Sequence, residues 1–144
     1  MIFLDASVLI AIAQVSHERH APSAELWNRC LAQRAATSAQ TVAEVYHTLT
    51  AMPPVLRLAP SDAVLAVETF LKRLIPVTLT AEECMETLRR TANLGHSGAM
   101  IYDALHLACA RKIAADKIYT WNLRNFRRVA PDLASRIVSP LAAA

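Results

Sequence analysis

The opening decapeptide, MIFLDASVLI, constrains the fold more than any other stretch of the chain. Met1 to Leu4 is short and wholly apolar, the pattern of a strand buried on both faces. It ends on Asp5. Ala6 and Ser7 turn the chain, and Val8 to Ala13 opens a buried helix. A strand of this kind needs parallel neighbours, with helices as the connections that cover both faces. In such sheets ligands gather beyond the carboxyl ends of the strands, and Asp5 stands at one. An aspartate there is also a good N-cap for the helix behind it. Its meaning depends on what else reaches the same edge.

The rest of the chain supplies the expected partners. Gln14 to Arg19 is a polar loop. His20 to Arg34 repeats apolar residues at helical spacing, through Ala24, Trp27 and Leu31. Ala35 to Ser38 reads as a strand leading into a helix over Ala39 to Ala51, which Pro53-Pro54 ends. Pro60-Ser61-Asp62 starts a helix running to about Leu74. Ile75 to Leu79 is a strand, placed at a sheet edge because Pro76 has no N–H to give a ladder. Thr80 and Glu83 form a capping box for a helix that stops at Gly95. Ala99 to Ala115 is a strongly apolar helix carrying Asp103. Lys117 to Thr120 is a strand, residues 121–130 a basic loop or short helix, and Ile137-Val138 a last short strand. This alternation predicts an α/β fold, a three-layer sandwich with a short parallel central sheet flanked by helices. Residues 1–138 are expected to form one domain and 139–144 a frayed tail.

Composition narrows the partners. Twelve of the 15 basic residues are arginine and the net charge is +3, a lean towards anionic ligands. Cys30, Cys84 and Cys109 lie far apart, odd in number and without a CxxC, and read as buried reduced thiols of a cytoplasmic protein. No stretch approaches the ~20 apolar residues of a membrane span, and the N-terminus lacks the pattern of a signal peptide.

Three acids share one address. Asp5, Glu44 and Asp103 each lie near the start of a helix that follows, or packs by, a strand end. Glu44 fits a capping box with Thr41, but the helical pattern begins earlier and Ser38 is the better cap. Glu44 is then left inside the helix with no obvious partner. Asp103 is surrounded by Met100, Ile101, Ala104, Leu105 and Leu107, where a carboxylate is costly unless paired, capping or metal-bound. Clustered carboxylates repel unless a cation neutralises them. All-oxygen sites suit Mg²⁺ or Mn²⁺, ions that activate water for phosphoryl chemistry.

The segments IFLDASVLI, VAEVYHTLT, IYDALHLACA and TWNLRNF, in this order and at these separations, resemble the PIN domain. Length and the YDALHLA segment are most similar to its VapC-type toxins. The resemblance implies a Mg²⁺-dependent endoribonuclease, with Mn²⁺ as a substitute, acting on single-stranded or tRNA-like RNA. It also implies a homodimer and a VapB-like antitoxin. Position by position, Asp5, Glu44 and Asp103 match the metal-binding acids. Ser7 matches a supporting hydroxyl, and Thr120 the threonine of the last motif. The sequence departs from the family where a fourth acid is common: here stand Asn122 and Asn125. An amide offers a carbonyl oxygen but no charge. Three carboxylates against two divalent ions leave a deficit, so one tightly held ion is expected.

Around these acids, Arg124, Arg127 and Arg128, with Arg111 and Lys112, are candidates to hold an RNA backbone. Trp121 reads as core or as a platform for a splayed base. His47 and His106 lie three residues beyond Glu44 and Asp103 and are expected on the same faces, as core or hydrogen-bonding residues. A phosphatase with Asp5 as nucleophile would want a second Asp where Ser7 stands. A receiver-type phosphoacceptor would want acids and a lysine in an order that is absent. The alternative that fits the same residues is a degenerate PIN scaffold that binds RNA or a protein without cutting.

Overall fold

The structure, a computed structural model, describes residues 1–30 and 33–143. Its centre is a five-stranded parallel sheet in the order β3-β2-β1-β4-β5. The strands are β1 (Ile2–Leu4), β2 (Ala35–Ser38), β3 (Leu74–Val77), β4 (Lys117–Tyr119) and β5 (Ile137–Val138). Between and after them come α1 (Ala6–Ala13), α2 (His20–Cys30), α3 (Gln40–Ala51), α4 (Pro60–Leu71), α5 (Ala81–Asn93), α6 (Met100–Lys112) and α7 (Leu123–Val129).

The two cores follow from strand alternation. Ile2 and Leu4 point into one, with Leu9, Leu26, Val45, Leu49 and Phe70. Phe3 points into the other, with Leu107, Ala110, Ile118, Phe126 and Ile137. Helices α1 to α4 therefore cover one face and α6 and α7 the other, while α5 packs beside α6. The expected three-layer α/β sandwich is the observed one.

Local chemistry accounts for the element ends. Asp5 caps α1, its side chain accepting from the Ser7 N–H. Pro76 pairs on one side only, because β3 is the sheet edge. Thr80 and Glu83 cap α5 reciprocally, at 3.2 and 2.7 Å. Gly95 follows α5 in the left-handed region, φ 73°.

Several boundaries differ from the sequence reading. The second helix ends its described course at Cys30, and Leu31, assigned to its apolar face, lies outside the described residues. Helix α4 stops at Leu71 and β3 begins at Leu74, so the strand is earlier than expected. The long apolar run after Gly98 is helical only from Met100 to Lys112. There the chain turns through Ala114 at φ 49°, and the Ala115 N–H returns to the Ala110 carbonyl. After β5 the chain makes a 3₁₀ turn over Pro140–Ala143, with Pro140 buried; Ala144 lies outside the described residues. Cys30 and Cys109 are buried and free, their thiols pushed up to about 11 by burial, while Cys84 is half-buried. Among the described residues no helix is long and apolar enough to cross a membrane.

Candidate metal centre

The carboxyl ends of β1, β2 and β4 form one edge of the sheet, and the first turns of α6 arrive there from the other side of the chain. Asp5 leaves β1 directly. Its backbone N–H donates to the Tyr119 carbonyl at 3.0 Å, which fixes it against the end of β4. Three donors converge on its Oδ2: the Ser7 N–H at 3.3 Å, the Ser7 hydroxyl at 2.7 Å and the Thr120 hydroxyl at 2.9 Å. Asp5 is 5% exposed and Thr120 fully buried. Thr120 in turn accepts from the Asn122 N–H at 2.9 Å, and Ser7 from the Trp121 N–H at 3.0 Å. The segment after β4 is thus knotted to Asp5 through the hydroxyls of Ser7 and Thr120. One oxygen of Asp5 is fully engaged, and Oδ1 has no bond among the described residues.

Glu44 does have a partner, contrary to the sequence reading. Its Oε2 lies 2.8 Å from His106 Nε2, a contact spanning 62 residues. His106 was expected to share a face with Asp103; it reaches across to α3 instead. His47, the expected neighbour of Glu44, is exposed.

A chain of buried hydroxyls stands behind His106. Its Nδ1 is 2.6 Å from Ser38 Oγ. Ser38 Oγ is 3.1 Å from Thr41 Oγ1, which is 2.9 Å from Thr37 Oγ1, which is 2.8 Å from the Leu4 carbonyl. Thr37 donates to the Leu4 carbonyl and to Thr41. A carboxylate only accepts, so the short contact to Glu44 is donated by a proton on His106 Nε2. Burial pushes its pKa down, but the Glu44 bond and the charges of Asp5, Glu44 and Asp103 outweigh burial and raise it above the ordinary 6.5. Ser38 also accepts from the Thr41 N–H at 3.3 Å, although the N-cap of α3 is Ala39, one residue later than the sequence reading placed it.

Donor atoms of Asp5, Glu44 and His106 all lie within 4.8 Å of one another. Two carboxylates at that separation repel by roughly 3 kcal/mol at an effective dielectric constant of 20. Asp103 is outside this tight set but within its field. Burial first, then the charge of Asp5, pushes its carboxyl up to about 6, with Glu44 adding and His106 opposing. Asn122 Nδ2 donates to Asp103 Oδ2 at 3.3 Å, so a neutral amide faces the third acid. Helix α6 begins at Met100, which excludes the reading of Asp103 as its cap. The donor set fits a divalent cation: two carboxylates and one imidazole bring donor atoms to one place, and Asp5 Oδ1 is unengaged among the described residues.

The flanking residues divide. Trp121 is half-buried, its indole N–H donating to Ser23 at 2.9 Å, with the Arg19 guanidinium 5.0 Å above the ring. Arg124, Arg127 and Arg128 are exposed on α7, and Arg127 donates to the Ile137 carbonyl at 2.9 Å. Arg111 and Lys112 do not join them. They sit at the opposite end of α6 from Asp103, engaged with Asp132 and Glu83. Sequence reasoning missed Thr37 and Thr41, and the signal available was a run of buried hydroxyls, TS followed by T, at a strand–helix junction.

A family model for the PIN domain matches residues 2–131. Ribonuclease VapC27 of Mycobacterium tuberculosis is 33% identical over 114 residues, 78% of this chain and 79% of that protein. In fold, the chain is similar to VapC20 of the same organism, a sarcin–ricin loop cleaving toxin. The TM-score is 0.71 at 20% identity, over 87% of this chain and 92% of that one. VapBC2 of Rickettsia felis, bound to a DNA fragment from its promoter, gives 0.67 at 18% identity, over 96% and 98%. With this fold, this edge of the sheet and these matches, the chain belongs to the PIN-domain family, in its VapC-type ribonuclease branch.

Proposed function

We propose that the protein is a Mg²⁺-dependent endoribonuclease, with Mn²⁺ as a substitute, acting as the cytoplasmic toxin of a VapBC-type toxin–antitoxin pair. The observation that carries this reading is the surplus of acid at one sheet edge: Asp5 and Glu44 within 4.8 Å, and Asp103 in their field. Asp5, Glu44 and Asp103 would hold the ion. When bound, it supplies the charge that activates water and offsets the charge building on a scissile phosphate.

The chain's own groups do the rest. Ser7 and Thr120 lock Asp5 in one orientation. Glu44 keeps 43% of its side chain exposed while its Oε2 is held, so its other oxygen is placed to take a proton from attacking water. Asn122 supplies no charge and orients Asp103. Arg124, Arg127 and Arg128 line the exposed side of α7 and would hold the RNA backbone. The antitoxin and a second copy of the chain are the protein partners this reading requires. Exposed apolar residues on α3 and α4, among them Tyr46, Val64 and Leu65, offer the surface.

Hydrolysis by an activated water needs no 2′-hydroxyl. Cleavage products therefore carry 5′-phosphate and 3′-hydroxyl ends, and a 2′-deoxy substitution at the cut site leaves cleavage intact. A cyclic-phosphate product rejects the mechanism. The second reading, a scaffold that binds without cutting, is favoured by Asn122 and Asn125 alone. RNA binding without cleavage in either metal would select it.

A further inference from the structure

We infer that Tyr102 is the platform on which an unpaired RNA base stacks beside the acid cluster, and that this contact fixes the register of the strand at the cut. The inference rests on the ribonuclease reading above and adds a base contact to the backbone contacts given there.

The state of the side chain is the first observation. Tyr102 is 58% exposed, while residues 104–107 behind it on α6 are buried. Among the described residues its ring meets no other ring or cation, and its hydroxyl has no hydrogen bond. Trp121, the aromatic that the sequence points to, is engaged instead: Arg19 covers its ring at 5.0 Å and its indole N–H goes to Ser23.

Position is the second. Asp103 follows Tyr102 directly, and His106 lies four residues on, one turn along the same face of α6. His106 reaches Glu44 at 2.8 Å, so this face is the one turned to the acids. Tyr102 stands on it one turn nearer the start of the helix. The rim before it is open. Ser97, Gly98 and Ala99 are exposed, and a Cβ on Gly98 would meet nothing within 4 Å.

An open aromatic ring beside a phosphate-cutting centre suits a splayed base. Every base has a π-face, so stacking tolerates sequence, but bases inside a duplex are already stacked on each other. The platform therefore selects loops and single strands over helices.

The test measures binding of short single-stranded oligoribonucleotides to the full chain in EDTA, by fluorescence anisotropy, with one base at a time removed to leave an abasic ribose. Where binding requires the metal, the same comparison is read from the RNA concentration that half-saturates cleavage. Tyr102→Ala should weaken binding of the intact strand roughly 5–100-fold, with little change in its salt slope. One abasic position should weaken wild-type binding by a similar factor and have no further effect in Tyr102→Ala. Tyr102→Phe, which keeps the ring, should restore binding, and Tyr102→Leu should not. Tyr102→Ala that binds as well as wild type, or keeps the full abasic penalty, overturns the inference and leaves the nuclease reading in place. A changed oligomeric mass in Tyr102→Ala with unchanged RNA affinity assigns the ring to a protein contact and overturns it too. No RNA bound and none cut by the wild type overturns both.

Discussion

Helix α6 joins two charge clusters of opposite design. At its first turn, Asp103 lies in the field of Asp5 and Glu44, and one buried imidazole faces those two acids. At its last turn, Arg111 and Lys112 meet acids nearly one for one. Arg111 and Arg90 share Asp132, with Nη2–Oδ1 distances of 2.9 and 3.0 Å, and Lys112 takes Glu83 at 2.8 Å and the Thr78 carbonyl at 3.0 Å. Both clusters suit the helix dipole, acid at the start and base at the end. They differ in balance and exposure. The last-turn pairs are exposed and self-neutralising, and they tie α5 and the turn at Asp132 to α6. The first-turn cluster is buried in part and leaves charge over. Structure alone explains the last-turn pairs; the first-turn cluster calls for a cation that the protein does not itself supply.

This contrast is open to direct attack, and the sharpest blow falls on Glu44. Glu44→Gln should reduce RNA cleavage roughly 10²–10⁴-fold, the usual weight of a positioned general base, measured as single-turnover rate on a cleavable RNA. A loss smaller than tenfold would remove Glu44 from proton transfer.

Metal binding comes next in size. At a hundred times its Kd, Mg²⁺ should stabilise the wild-type fold by about 2.7 kcal/mol, a rise in melting temperature of about 5–10 °C. EDTA should reverse the shift and Asp5→Asn abolish it. Equal shifts in both proteins would place the ion elsewhere.

In the metal-free protein the acid surplus should be visible as a pH dependence. The Asp103 carboxyl is raised in the folded state from 3.8 to about 6, so the fold binds that proton more tightly than the unfolded chain does. The stability this provides is present in full below pH 3.8 and is lost as pH rises through about 6. Melting temperatures of wild type and Asp103→Asn should therefore diverge over that window, with the wild type falling relative to the variant as pH rises. Parallel curves would mean that Asp103 feels no surplus.

The balanced end should respond least. Arg111→Ala should cost about 1 kcal/mol or less in chemical denaturation and leave cleavage unchanged. Arg128→Ala, by contrast, should weaken RNA binding and lower its salt slope by about one. A binding defect in Arg111→Ala as large as that in Arg128→Ala would erase the distinction between the two ends.

What the chain discloses in one dimension depends on how local the cause is. Ala35 to Ser38 is a strand with the expected bounds, because four buried residues stop at a helix start. The Thr80–Glu83 box and the edge position of Pro76 rest on chemistry within a few residues, and both are as expected. The gathering of Asp5, Glu44 and Asp103 was legible because parallel topology sends every strand end to one edge. The partner of Glu44 was not. Helical spacing pairs His106 with Asp103, and only the packing of α6 across β2 turns it to Glu44. The hydroxyl cluster of Thr37 and Thr41 was hidden for the same reason, since Thr37 also donates to the Leu4 carbonyl on a different strand. Ala114 adopts a conformation that favours glycine, so the end of α6 carried no sequence signal.

The most direct test of the central claim is cleavage of a defined RNA set, tRNAs included, by wild type and Asp5→Asn purified in parallel, in Mg²⁺, in Mn²⁺ and in EDTA. The account predicts cutting in either metal, none in EDTA, and none by Asp5→Asn under any condition. Cutting that persists in EDTA, or is equal in the two proteins, would contradict it.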